Sequence, residues 1–285
     1  MKPLVIAVLF LQAALGQHIE VIPWRPSPIE ASYPSAGKSG AEPGTRGAFL
    51  MNSDTVFPHL ATGGGWETVI VMVNMSNETV TYSTYFNNQQ GGPMNITFRE
   101  YPGGNVVTTN AIRSTLSPGA SFNFALFDAT PATQVGWARV ENQTPNSRLG
   151  GYAVFRQRIA GRADFEALVP LSSYEDHRFF LPVDEIQGFV TAMAICNPGG
   201  NLVTSVTLQM LGLDGREIAR KTVAIGPGEQ RAFAIASEFP EIRNRLGTLY
   251  VQGSTNRLSA IGLRFNTAGG DSFSSVPIMN WIGMF

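Results

Sequence analysis

One cysteine, three lysines, three histidines and a charged fraction of only 14% mark out what this 285-residue chain has little of. Cys196 alone cannot form an internal disulfide, so stability has to come from packing. It sits in the apolar run TAMAICN, which reads as a small buried hydrophobe rather than a reactive thiol. A net charge of −1 excludes the basic surface that nucleic acid selects for. The scarcity of histidine limits acid–base and metal chemistry. His18 lies near the start, leaving His59 and His177. No GxSxG nucleophile turn occurs. Glu175-Asp176-His177 are adjacent, and side chains in an extended chain alternate faces, so they do not easily converge on one metal; the segment reads as a solvated linker, with a weak cation site as the alternative. No catalytic residue, metal or cofactor is expected. Long helical periods are also missing. The best helical window is SEFPEIRNRL, with Ser237 as a cap and Pro240 in the first turn.

What is present begins with MKPLVIAVLFLQAALGQ. Lys2, the apolar Leu4 to Leu11 and the small-x-small Ala14-Leu15-Gly16 fit a secretory signal peptide over 1–16. Residues 17–49 hold five prolines among Ser, Gly and Ala and read as a Pro-rich leader. From Phe57 onward, short β-branched and aromatic runs are separated by turn residues, as in VIVMVN, TVTYSTYF, SFNFALF and GYAVFRQR.

The strongest feature is an internal repeat. GWETVIVMVNMSNETV (65–80) matches GFVTAMAICNPGGNLV (188–203) at an offset of 123. Four further blocks follow in the same order: LSPGASFNF with IGPGEQRAF, GWARV with GTLYV, AVF with LRF, and LVPL with SVPI. Each copy has the length of an immunoglobulin-like sandwich. The expected fold is all-β: two tandem immunoglobulin-like β-sandwich domains, 50–171 and 179–285, joined by a linker over 172–178. The offset falls from 124 at Gly91 to 109 at Pro118, so the first copy carries 15 extra residues, within 100–115. That is either a lengthened hairpin or a binding loop.

The Gly63-Gly64-Gly65 run resolves against a phosphate loop. No lysine is near, a strand follows, and the second copy keeps only Gly188. The glycines are expected to turn the chain and deliver Trp66, and equivalently Phe189, into the core. The same residues, Phe57, Pro58, Gly63 to Trp66, Thr68, Ile70 and Asn74, with the PxG and GWA blocks, resemble repeats of uncharacterised bacterial secreted proteins. The resemblance spans most of 57–278. It implies export and tandem β domains and carries no catalytic residue.

Alternation gives the candidate binding residues. Ala138 and Val140 align with Leu249 and Val251 and are assigned to the core, so Trp137 and Arg139 face outward, as does Tyr85. With Tyr101 in the insertion they would make an aromatic surface for a sugar ring or a protein. The alternative is burial under the leader or against the other domain. Arg156 and Arg158 share a strand face and offer an anionic contact or a solvated edge. The reading is an exported, non-enzymatic structural or binding module, a cell-surface spacer or adhesin-like element, secreted, periplasmic or on the cell surface. Its partner would be a surface glycan or a protein. The mature chain carries no stable membrane span. A carbohydrate-binding protein is the first alternative and an outer-membrane β-barrel, suggested by the terminal Phe285, the second.

Overall fold

The computed structural model describes residues 18–26, 55–100, 104, 106–127, 131–158, 164–173, 177–199, 202–254, 258–267 and 273–280. The fold is all-β. Its first strands are β1 (His18–Val21), β2 (Thr55–Thr62), β3 (Trp66–Asn74), β4 (Val80–Asn88), β5 (Ile96–Glu100), β6 (Val106–Thr109) and β7 (Ala111–Leu116). There follow β8 (Ser121–Phe127), β9 (Gln134–Asn142), β10 (Leu149–Gln157), β11 (Phe165–Pro170) and β12 (Ser172–Ser173). The second copy contributes β13 (Arg178–Asp184), β14 (Phe189–Cys196), β15 (Thr204–Leu211), β16 (Glu217–Ile225) and β17 (Gln230–Ala234). It ends with β18 (Leu246–Gly253), β19 (Ser259–Asn266), β20 (Phe273–Val276) and β21 (Met279–Asn280).

These strands form four antiparallel sheets, in the orders β1-β7-β4-β9-β2-β12, β11-β10-β3-β8-β5-β6, β16-β15-β18-β13-β21 and β17-β14-β19-β20. The repeat is legible in the orders. Replacing each strand of the third sheet by its counterpart gives β7-β4-β9-β2-β12, the first sheet without β1. Replacing those of the fourth gives β8-β3-β10-β11, the second sheet without β5 and β6. The extra residues are an added edge hairpin on β8, β5 and β6, so they begin before the expected 100–115, and 111–116 is β7, the counterpart of β16.

The strand count differs from the seven of an immunoglobulin-like sandwich. The first copy has two six-stranded sheets, the second sheets of five and four. Four sheets is also the blade number of a four-bladed propeller. They are open sheets among the described residues, not the single closed sheet of a barrel. No helix among those residues is long and apolar enough to cross a membrane.

Each copy has a core shared by its two sheets. Phe57, Tyr82, Phe86 and Ala138 of the first sheet meet Ile70, Phe124 and Phe155 of the second. Leu181, Val206 and Leu249 meet Met193, Ile195 and Ala260 in the second copy. Local signals act alike in both. Thr68 Oγ1 donates to the Ala61 carbonyl at 2.7 Å, and Thr191 Oγ1 to the Asp184 carbonyl at 3.1 Å, 123 residues on. Asn74 Nδ2 donates to the Leu116 carbonyl at 3.0 Å and Asn197 Nδ2 to that of Ile225 at 3.1 Å. These buried amides satisfy backbone groups that the turns would otherwise strand.

The glycine run is a turn, with the Trp66 amide donating to the Gly63 carbonyl at 2.9 Å. Gly64 and Gly65 have φ of 59° and 87°, a pair that glycine adopts cheaply. Gln187 and Gly188 repeat it at 52° and 80°. The expectation of full burial does not hold for the aromatics that follow. Trp66 is half-buried and packs edge-on against Phe273 of the second copy at 5.6 Å. Phe189 is half-buried beneath the Arg264 guanidinium, 3.3 Å from the ring centre. Both sit at strand starts, where the core tapers. The helical window is shorter than expected: α1 covers Ile235–Glu238 and a 3-10 turn covers Pro240–Ile242, with Ser237 inside α1 rather than capping it.

Candidate functional site

The predicted binding face exists, but it is covered. Trp137 and Arg139 do lie on the face of β9 opposite Ala138 and Val140. Trp137 is 1% exposed and Arg139 3%. Tyr85 on β4 is 1% exposed. Two different parts of the chain cover them. Residues 22–26, following β1, lie over Tyr85 and Arg139. Ile22, Tyr85 and Ala111 form a small cluster with Trp24. Trp24 Nε1 donates to Asn87 Oδ1 at 3.2 Å, and Arg139 Nη2 donates to the carbonyls of Arg25 and Pro26 at 3.4 Å each. The Arg139 guanidinium stacks on the Tyr85 ring at 4.5 Å. Tyr101 lies outside the described residues. An exposed aromatic strip made of Trp137, Arg139 and Tyr85 is thus corrected: alternation gives the face, and tertiary packing buries it.

Trp137 faces the other cover, the second copy. It packs with Val56 and Cys196, and its Nε1 donates to the Gly228 carbonyl at 2.8 Å. Beside it lies a polar cluster that the sequence reading missed. β2 bulges, its register with β9 shifting between Phe57 and Leu60. The bulge turns the Pro58 carbonyl and His59 toward the second copy. Gln230 of β17 meets them there. Its Nε2 donates to the carbonyls of Pro58 and Gly136, both at 2.6 Å, and lies 3.3 Å from His59 Nδ1. The Gln230 amide N–H donates to the Gln89 carbonyl at 2.9 Å. Its Oε1 is buried without a protein partner. His59 stands edge-on to Phe155 at 5.1 Å. Burial lowers its pKa from 6.5 to about 4, so it is a neutral imidazole at pH 7. It lies in the bulge of β2.

Apolar contacts complete the junction. Ala194, Ile261, Leu263 and Phe273 of the second copy belong to the first copy's core. The central strands β14 and β19 of the fourth sheet are therefore buried on both faces. Its unbroken apolar run TAMAIC is the sequence signal for this. Burial raises the pKa of the Cys196 thiol, leaving it protonated and inert. Where the junction opens to solvent, a cavity of about 390 Å³ lies between β11–β12 and β19–β20. Leu168, Pro170, Leu258, Ile261 and Ile278 line it, and Ser172 and Ser259 share a 2.9 Å hydrogen bond at its edge. Such a lining offers dispersion contacts and few directional ones.

The remaining candidates are engaged elsewhere. Arg156 pairs with Glu166 at 2.7 Å and Arg158 with Glu67 at 2.6 Å. Glu175 and Asp176 lie outside the described residues, and the His177 carbonyl accepts the Gly253 amide at 2.7 Å. Among the described residues no three His, Cys, Asp or Glu side chains cluster as metal ligands do. Comparison with known proteins gives no match: no family model, no curated protein and no solved structure is similar to this chain.

Proposed function

We propose that the chain is an exported, non-enzymatic structural module, a rigid two-unit spacer whose copies are locked together. The observation that carries this is the use made of its most distinctive side chains. Trp137, His59 and Gln230 meet at the junction between copies, where they fix one copy against the other. A hinge would show few contacts and solvated polar groups, whereas this junction is apolar and hydrogen-bonded.

On this reading the four sheets work as two two-sheet sandwiches, β1 to β12 and β13 to β21, rather than as four blades. Consecutive strands β2, β3 and β4 alternate between sheets, and both copies share one strand order. A propeller blade is a meander of consecutive strands around a central channel. The N-terminal sequence supports export, and sequencing of secreted material should begin at Gln17. Carbohydrate recognition through Trp137, Arg139 and Tyr85 loses its support because a stacking plane has to face solvent.

The test is a distance measurement. Spin labels at the exposed Glu78 and Arg216, one in each copy, should give a single narrow distance distribution. A broad or two-peaked distribution would end the rigid-spacer reading.

A further inference from the structure

The internal repeat provides a comparison of two equivalent sheet edges, one occupied and one open. In the first copy, β7 carries an added strand on its outer edge. β1 pairs with it antiparallel, His18 opposite Thr115 and Val21 opposite Ile112. The Ile22 amide donates to the Ala111 carbonyl at 3.3 Å, and Glu20 pairs with Arg113 at 3.3 Å. The counterpart of β7, 109 residues on, is β16. β16 pairs with β15 on one side, and among the described residues no strand pairs with its other edge. It is nine residues long and exposed over most of its length, and among the described residues no strand takes up the row of backbone donors and acceptors along that edge. By the offset, Arg220, Thr222 and Ala224 present those groups, as Ala111, Arg113 and Thr115 do to β1.

Side chains decide what such an edge accepts. Val223 stands where Ser114 faces Ile19, so an aliphatic residue there would extend the core, against which Val223 already packs. Thr222 stands where Arg113 faces Glu20, with Arg220 two residues away on the same face. Arg220 already holds Glu217 at 2.6 Å, and an acceptor carboxylate would join that pair. Lys221 points to the other face and pairs with Glu238 of α1. Pairing of β16 with itself, centred, would set Lys221 against Lys221 of a second copy, a like-charge contact that disfavours a dimer. Edge charges of this kind discourage indiscriminate pairing and favour a strand of opposite sign.

We propose that β16 is an acceptor edge for an extended segment of another polypeptide that sets an aliphatic residue opposite Val223 and an acidic one opposite Thr222, bound by strand addition as Ile19-Glu20 is bound on β7. The inference does not depend on the rigidity of the junction.

The probe is a fluorescently labelled peptide HIEVIPW, residues 18–24, titrated into the full chain. Its own β7 edge is already filled by these residues, leaving β16 as the open one of these two equivalent edges. Saturable one-to-one binding is expected. Thr222→Pro removes one outward N–H and leaves pairing with β15 intact, since proline is tolerated on an open edge. It should weaken binding at least tenfold with the melting temperature nearly unchanged, and Glu→Gln in the peptide should weaken it less. Absence of saturable binding, or binding that survives Thr222→Pro in a folded chain, overturns the proposal; the second result would indicate exchange at β7. If Thr222→Pro does not fold, amide exchange on the unaltered chain decides. Protection on peptide addition confined to 217–225 supports the acceptor, and its absence there overturns it. Self-association that the peptide competes away would assign the edge to a second copy instead.

Discussion

The indole Nε1 of Trp137 donates to the backbone carbonyl of Gly228 at 2.8 Å, across 91 residues of sequence and from one copy of the repeat to the other. The tryptophan is the natural candidate for a ligand platform, and it serves as the bolt of the junction. Trp137→Phe keeps most of the ring and leaves the carbonyl unpaired, which should cost about 1–3 kcal/mol. Trp137→Ala should cost about 3–5 kcal/mol. Denaturant unfolding of both variants checks the order, and an unchanged midpoint for Trp137→Ala would remove Trp137 from the junction.

Gln230→Leu has nearly the volume of glutamine and lacks its donors. It strands the Pro58 and Gly136 carbonyls, each worth about 1–3 kcal/mol when buried and unpaired. The variant should unfold at lower denaturant. In the spin-label experiment its distance distribution should broaden, since the loss falls at the contact between copies.

His59 makes stability fall in acid. Its folded pKa of about 4 lies below the unfolded 6.5, so the unfolded chain binds the proton first as pH drops. The contribution is complete above pH 6.5 and is lost as pH falls toward 4. The full span is worth roughly 3 kcal/mol, at 1.36 kcal/mol for each pH unit. His59→Gln should flatten the dependence of the melting temperature on pH between 6.5 and 4. An unchanged slope would place the acid sensitivity elsewhere.

Gly119 and Gly228 are repeat partners with φ of 70° and 72°. A Cβ on Gly119 meets nothing within 4 Å, while one on Gly228 lies 3.0 Å from Gly91 Cα in the other copy. Gly119→Ala should therefore cost only the left-handed backbone penalty, about 1–2 kcal/mol. Gly228→Ala should cost clearly more. Equal melting temperatures for the two would mean that the contact between copies is not tight.

Trp24 covers the outer face of the first sheet through its ring and its bond to Asn87. Because it is only half-buried, Trp24→Ala should cost less than the ~3–5 kcal/mol of a fully buried tryptophan. It should also make Tyr85 accessible to a collisional quencher that the intact chain excludes.

Much of the architecture can be read in the residues themselves. The all-β class follows from β-branched runs separated by turns. The repeat shows as equivalent strand orders, apart from β1, β5 and β6, and as the matched pairs Thr68/Thr191 and Asn74/Asn197. The turns at Gly63–Gly65, Gly91, Gly119, Gly215 and Gly228 all use the positive φ that their glycines permit. Alternation along GWARV gives the right face for Trp137, Arg139, Ala138 and Val140. These features are local: a turn needs its own φ, and a strand's two faces are set by its period of two.

What covers a face is not local. Arg139 and Tyr85 are buried by residues 22–26, and Trp137 by a glycine carbonyl 91 positions away. His59 meets Gln230 across 171 positions. A polar glutamine flanked by Glu229 and Arg231 looks solvent-facing in sequence, and only its place opposite the β2 bulge makes it a buried donor. Sequence alone therefore determined the strands, the turns and the duplication, because backbone preference and side-chain alternation act over a few residues. Tertiary structure decided that Trp137 joins the copies and that Tyr85 lies under residues 22–26, so neither faces solvent, because burial depends on which distant surface arrives to exclude water.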